Sequence, residues 1–263
     1  YSCNAYFGTA YLNTINKYDT PQEGITVWEK HLKSFGLGNY MGYDLPIGKR
    51  GLIPTAKMYN REFNYPKRRW GAAATISNSI GQGKVLMTPV QMAHFTATIA
   101  NRGWYYKPHI LKKIEGTDTI PQDFATKKYT TIDPEHYEPI IQGLSDVYNY
   151  GTAASLKVPG IDISGKTGTV QNYVKIDGKR VQLTDHSTFV AFAPRENPKI
   201  AIAIFVENGY WGFRYGGRIA SLMIEKYINR EVTRKDLENW ILTHSLEEEY
   251  AKPLSGEPFR INY

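Results

Sequence analysis

IDISGKTGTVQNYVKIDGKRVQLTDHSTFVAFAPRENPKIAIAIFV, residues Ile161 to Val206, decides the fold class. Its first part, Ile161 to Val170, reads as a strand. A second strand holds Phe189, Val190, Ala191 and Phe192. A third is Ile200 to Val206, bounded by the Asn197-Pro198 turn. Asp177-Gly178 favours positive φ at both centres of a tight turn, and it marks a hairpin between the first two strands. The run 200–206 is apolar at nearly every position, as expected for a strand covered on both faces. Gly216 to Asn229 returns as a helix able to cover one of them.

Upstream the pattern is helical. Ala5 to Tyr18 reads as a helix with Tyr6, Ala10 and Ile15 on one face and Asn4 as its cap. Thr20 opens a second helix. Pro21 suits the first helical position, and Glu23 completes a capping box. Val27, Trp28, His31, Leu32 and Phe35 form its apolar side, and Gly36 and Gly38 stop it. Residues 37–76, rich in Gly, Pro, Tyr and Lys, read as a long loop. The capping box recurs at Thr88, Pro89 and Gln91, with Met92, Phe95 and Ile99 as the apolar face and Asn101 and Gly103 at the end. A fourth helix follows Asp133-Pro134 to about Tyr148, with Ile140, Ile141, Leu144 and Val147 inward. Thr233 to Thr243 is the last helix, before a polar tail. Helices cluster first and an antiparallel sheet follows, so the fold class is α+β. We expect one domain over 1–230 and a C-terminal helix and tail over 231–263.

Composition narrows the function. The chain has 263 residues, 41% apolar and 22% charged, as in folded globular proteins. Five Trp, twenty Tyr and ten Phe are too many for a disordered tail. The single cysteine, Cys3, excludes a disulfide scaffold and reads as a small buried hydrophobe. A net charge of +7 favours anionic partners without choosing among them. Lys67, Arg68 and Arg69 beside Trp70 form the one short basic cluster, which reads first as a solvated loop. The longest apolar run, Ile200 to Val206, is far short of the ~20 residues that span a bilayer. The first residue is Tyr1, so we expect a piece of a longer chain whose targeting segment lies upstream. The six histidines show no metal-ligand spacing, and no metal or cofactor is expected.

Two short motifs carry chemistry: Ser2-Cys3-Asn4 and Lys166-Thr167-Gly168-Thr169. Each alone has a bland reading. Ser2 and Asn4 could only cap a helix, and Lys166 could only guard an edge strand. Together, in this order, they match two of the three motifs of the penicillin-binding proteins and serine β-lactamases; the other is Ser-x-x-Lys. None of the eleven serines has lysine three places on. The resemblance extends to YSCNAYF (1–7), Asp44-Leu45-Pro46, SIGQG (79–83), TPVQMA (88–93), GKTGTVQ (165–171), HSTFVAFAP (186–194) and NPKIAIAIFVEN (197–208). Over roughly residues 1–229 the chain resembles the transpeptidase domain of the class B, elongation-type penicillin-binding proteins, the penicillin-binding protein 2 family. Residues 231–263 match no pattern.

The resemblance implies a transpeptidase fold, with the antiparallel sheet flanked by helices and truncated at its N-terminus, and a serine acyl-enzyme chemistry. A serine nucleophile requires a base and an oxyanion site. By the resemblance the nucleophile and the basic lysine belong to the missing motif, upstream of this chain, which is then inactive alone. Ser2 relays a proton and Asn4 hydrogen-bonds that lysine and the substrate amide. Lys166 holds the relay and attracts the terminal carboxylate of a peptidoglycan stem peptide. Thr167 and Thr169 donate hydroxyls to that carboxylate, Gly168 admits the substrate backbone, and the Thr169 N–H is an oxyanion donor. β-Lactams would acylate the same serine. The implied setting is the periplasmic side of a bacterial inner membrane, beside a membrane glycosyltransferase of the elongation machinery. His186 reads as a satisfied turn residue and not a catalytic one. A β-lactamase or D,D-carboxypeptidase of the same fold is the alternative, though Ser2 and Lys166 stand further apart than in the lactamases. A non-catalytic module for an anionic polymer is the alternative from another class; no nucleic-acid motif supports nucleic acid as a partner.

Overall fold

A computed structural model describes residues 3–42, 44–116 and 120–247; Ser2 lies outside them. The chain divides into two compact units, Tyr1–Tyr137 and Glu138–Tyr263. Helices dominate the first and the main sheet lies in the second, the α+β order expected from the sequence.

In the first unit α1 (Asn4–Ile15) is capped by Cys3, whose exposed Sγ accepts the Tyr6 N–H at 3.4 Å. Asn4 is therefore the first helical residue and not the cap, and Cys3 is not buried. The inward stripe is Gly8, Tyr11 and Ile15, at helical spacing; Tyr6 falls off that stripe and is exposed. α2 (Pro21–Ser34) starts where its capping residues place it: Thr20 Oγ1 accepts the Glu23 N–H at 3.2 Å and Pro21 sits at the first position. Its buried members are Gly24 and Ile25. Ile25 joins Tyr11, Ile15, Tyr59, Trp70 and Ala72 in one core. Residues 37–76 are not all loop. They contain α3 (Ala56–Phe63), capped by Thr55 and ended by Asn64 at φ 55, and the start of a 3-10 segment, Ala72–Ile80. Trp70 is core, its Nε1 donating to Asn60 Oδ1 at 2.8 Å, so Lys67, Arg68 and Arg69 form a solvated loop beside a buried tryptophan, with the Arg68 guanidinium 5.4 Å from the centre of the Phe63 ring instead.

α4 (Pro89–Ala100) carries the complete Thr88–Gln91 capping box, but its buried face is polar. Gln91, His94, Thr96 and Thr98 are buried, while Met92, Phe95 and Ile99 are only half-buried. The reason is long-range satisfaction. Gln91 Nε2 donates to Asn39 O (3.2 Å) and Arg50 O (2.9 Å), and His94 Nε2 donates to Phe35 O at 3.0 Å. A two-residue ribbon of β1 (Trp104–Tyr105) and β2 (Lys128–Tyr129), with the short α5 (Gln122–Ala125) before β2, completes this unit.

The second unit opens with α6 (Tyr137–Asn149), whose first residue ends the first unit. Ile141, Ser145 and Tyr148 point inward, and Ile140 is exposed, one position off that stripe. β3 (Ser164–Val170) leads to the hairpin of β4 (Tyr173–Ile176) and β5 (Lys179–Gln182). Asp177 and Gly178 take φ 50 and φ 76, as the primed two-residue turn demands. β6 (His186–Ala193) and β7 (Ile200–Val206) follow, and β3-β6-β7 form an antiparallel sheet in that order. The strand covered on both faces is the central β6; β7 lies at the sheet edge, with Ile202 buried and Phe205 exposed. One face of β6, with Phe189, Ala191 and Ala193, packs with Leu156, Ala220 and Ile224. The covering helix α7 (Arg218–Asn229) is entered through a π-helical turn, Phe213–Gly217. α8 is Lys235–Thr243.

Candidate active site

The Lys166-Thr167-Gly168-Thr169 segment forms the middle of β3, in register with Val190, Phe189, Thr188 and Ser187. β3 pairs only with β6 among the described residues, so it presents an open edge. Strand alternation puts Lys166 and Gly168 on one face and Thr167 and Thr169 on the other. A ligand lying along an open edge meets side chains of both faces.

Lys166 is half-buried and its Nζ donates to the Thr167 carbonyl at 2.8 Å. It has no carboxylate partner among the described residues. Burial costs the charged ammonium its hydration and pulls its pKa below the ordinary lysine value. A partly dehydrated, uncompensated cation attracts a carboxylate strongly. Thr167 Oγ1 stands 3.4 Å from Thr152 Oγ1, and Thr169 is exposed.

Gly168 has no room for a side chain: a Cβ there would lie 2.5 Å from the Thr188 methyl. The backbone of Gly212, at the entry of the π-helical turn, is pressed against the same place. A Cβ on Gly212 would lie 2.6 Å from Gly168 N and closer still to Gly168 O and Thr188 O. The next glycine of the turn, Gly216, donates its N–H to Ser187 Oγ at 3.1 Å. The turn is thus a backbone-to-backbone brace behind the motif strand.

The chain leaving β3 is held as firmly. Asn172 Nδ2 donates to Asn208 Oδ1 at 2.8 Å, and the Asn208 N–H donates to His186 Nδ1 at 3.0 Å. His186 is the first residue of β6 and not a turn residue, and it is hydrogen-bonded there. Its Nδ1 accepts, so the ring carries its proton on Nε2.

The structure brings Lys166, Thr167, Gly168 and Thr169 together on one edge strand. Asn4 is exposed at the first turn of α1, in the other unit, and Ser2 lies outside the described residues. Sequence reasoning missed Thr152 and Gly212, because neither sits in a motif and only the tertiary path of the turn brings each to β3. Among the described residues no cluster of His, Cys, Asp and Glu suits a metal ion.

The chain is similar to known proteins over most of its length. Residues 1–227 match the penicillin binding protein transpeptidase domain. The peptidoglycan D,D-transpeptidase MrdA of Acinetobacter baumannii is 35% identical over 225 residues, which is 81% of this chain and 32% of that protein. The structure of Pseudomonas aeruginosa PBP2 in complex with WCK 5153 is similar at TM-score 0.68 and 25% identity, covering 88% of this chain and 47% of that one. A chain of a peptidoglycan synthase complex that coordinates polymerization and crosslinking is similar at TM-score 0.67 and 27% identity, covering 88% of this chain and 37% of that one. The chain spans about a third of the length of the curated relative it matches. With the family matched from residue 1 to residue 227 and the Lys-Thr-Gly-Thr motif on an open, braced strand edge, the chain belongs to the penicillin-binding protein transpeptidase domain family.

Proposed function

We propose that this chain supplies the carboxylate-binding strand of a peptidoglycan D,D-transpeptidase. The observation that carries the reading is Lys166: a half-buried, uncompensated ammonium on an open strand edge whose neighbours are two threonines and a glycine without side-chain space. A stem peptide ending in D-Ala-D-Ala lies along β3, its carboxylate drawn to Lys166 and hydrogen-bonded by Thr167 and Thr169. The Thr169 N–H donates to the developing oxyanion. A serine of the Ser-x-x-Lys type attacks the peptide carbonyl and expels D-alanine, with Ser2 relaying the proton and Asn4 orienting the substrate amide. The amine of a second strand then displaces the serine and forms the cross-link. β-Lactams mimic the stem peptide and acylate that serine.

The setting that fits is the outer face of a bacterial inner membrane, beside a membrane glycosyltransferase. Support for that partner is the similarity to a chain of a synthase complex that couples polymerization to crosslinking. Among the described residues no helix is long and apolar enough to cross a membrane.

The test is covalent labelling by a fluorescent penicillin, read by denaturing mass spectrometry. Two proteins are compared: this chain, and a hybrid in which the Ser-x-x-Lys segment of a penicillin-binding protein precedes Tyr1. The hybrid gains one adduct on the added serine, and Lys166→Ala slows its formation. This chain forms none, since none of its eleven serines has lysine three places on. A stoichiometric adduct on Ser2, or a hybrid indifferent to Lys166→Ala, refutes these roles.

A further inference from the structure

Away from β3, one cavity of the second unit is lined by cations. It measures about 560 Å³, and Arg218, Arg234 and Lys235 line it, with Asp236 on the same wall. Two of the cations are compensated. Lys235 Nζ lies 2.8 Å from Glu238 Oε2, and Arg234 Nε lies 2.9 Å from Glu225 Oε2. Arg218 has no carboxylate partner among the described residues. Aromatic faces hold its guanidinium instead, 4.2 Å from the Trp240 ring centre and 5.7 Å from that of Phe213.

Arg234 also has hydrogen-bonding capacity to spare. Its Nη1 donates to Leu156 O at 3.3 Å, but its Nη2 is buried and has no hydrogen-bond partner among the described residues. A buried guanidinium N–H without an acceptor is costly, and native structures rarely leave one. Arg218 is itself half-buried. Burial, and then the nearby Arg214, disfavour its charged form and draw its pKa below the usual arginine value. Both arginines line the same cavity, and Arg218 has no carboxylate there to neutralise it.

We propose that this cavity binds a small oxyanion, a carboxylate or a phosphate, on the guanidiniums of Arg218 and Arg234. The planar fork of arginine matches two oxygens of either group at once. The Trp240 ring, its centre 4.2 Å from the Arg218 guanidinium, holds that fork in place beforehand. Asp236 repels an anion from the same wall, so the site takes one small group and no polyanion. Nothing in this proposal depends on the transpeptidase reading, because Lys166 is not among the lining residues.

The experiment titrates the 263-residue chain with sodium phosphate and, separately, sodium acetate, against sodium chloride at matched ionic strength, by isothermal calorimetry. Saturable binding at one site is expected. Arg218→Gln should weaken it about ten-fold or more, the worth of a lost charged hydrogen bond. Asp236→Asn, at an exposed position that does not threaten folding, should tighten it. Lys166→Ala should leave it unchanged, which separates this cavity from the carboxylate site on β3. Tighter phosphate points to a phosphorylated ligand and tighter acetate to a carboxylate one; either order supports the site. No saturable binding of either anion, binding that Arg218→Gln and Asp236→Asn both leave alone, or binding that Lys166→Ala abolishes would overturn the proposal.

Discussion

Replacing Gly212 by alanine is the sharpest test of the brace behind β3. Gly212 has φ −57 and ψ −26, a conformation that alanine adopts freely. On backbone grounds alone the change should therefore stabilise, by about 0.4–1 kcal/mol, through the unfolded chain. The packing says the opposite. The new methyl would lie 2.6 Å from Gly168 N and closer still to two carbonyl oxygens, those of Gly168 and Thr188. All three neighbours are main-chain atoms in the middle of the sheet, so no side chain can swing aside. Relief requires the turn and the strand pair to separate by about 1 Å, and overpacking of this kind costs roughly 1–3 kcal/mol. We take the upper end, about 3 kcal/mol, because the displaced atoms are backbone. Gly143 is the control. It lies in α6 with nothing within 4 Å of its would-be Cβ, so Gly143→Ala should stabilise by about 0.5–1 kcal/mol. The assay is urea unfolding followed by tryptophan fluorescence, both variants beside the parent. If Gly212→Ala unfolds at the same urea concentration as the parent or a higher one, the turn does not press on β3 as described.

Three further outcomes are expected. In the hybrid carrying Ser-x-x-Lys, Thr169→Val should slow penicillin acylation less than Lys166→Ala, because valine keeps the backbone N–H and loses only a hydroxyl; equal losses in the measured acylation rate contradict the roles. His94 is buried, which pulls its pKa from 6.5 to about 4. The unfolded chain then binds the proton first, so stability is full above pH 6.5 and falls as pH drops towards 4, by about 3 kcal/mol from this group; a His94→Gln variant whose urea midpoint falls just as steeply over that window would speak against it. Arg234→Ala should destabilise by about 3 kcal/mol, because it strips the ionic partner from the fully buried Glu225 and leaves only Thr233 to hydrogen-bond it. Burial raises the Glu225 pKa, but the bonds from Thr233 and Arg234 outweigh it and hold the carboxyl below its ordinary 4.5. Its contribution is thus present above pH 4.5 and lost below, and the variant's acid limb should be the flatter in pH-dependent melting.

What the sequence made legible was local chemistry. Thr20 with Glu23 and Thr88 with Gln91 announced two helix starts within four residues each, and Asp177-Gly178 announced the hairpin, because caps and primed turns are decided by near neighbours. The motif strand was legible by order and resemblance. What stayed hidden depends on partners far along the chain. The polar face of α4 is buried because Phe35, Asn39 and Arg50 present carbonyls to it, and no window around Gln91 contains them. α3 was missed because it is only eight residues long, with no acidic residue or glutamine in the fourth place of a capping box. Gly212 reads as an ordinary loop glycine until the π-helical turn carries it onto Gly168.

The hydrogen bonds of α4 also say something about how the first unit comes apart. Small extracellular domains close long stretches of chain with disulfides; in this chain the single cysteine is exposed and unpaired. Gln91 and His94 act in that capacity without a covalent bond, joining carbonyls 52, 41 and 59 residues away to one helix face. Such a clasp is released all at once, since both side chains leave their acceptors when the helix turn that aims them frays. The opening of α4 is therefore not a local event. It frees two distant segments together, and amide exchange at 35–39, at 50–52 and within α4 should share one opening free energy.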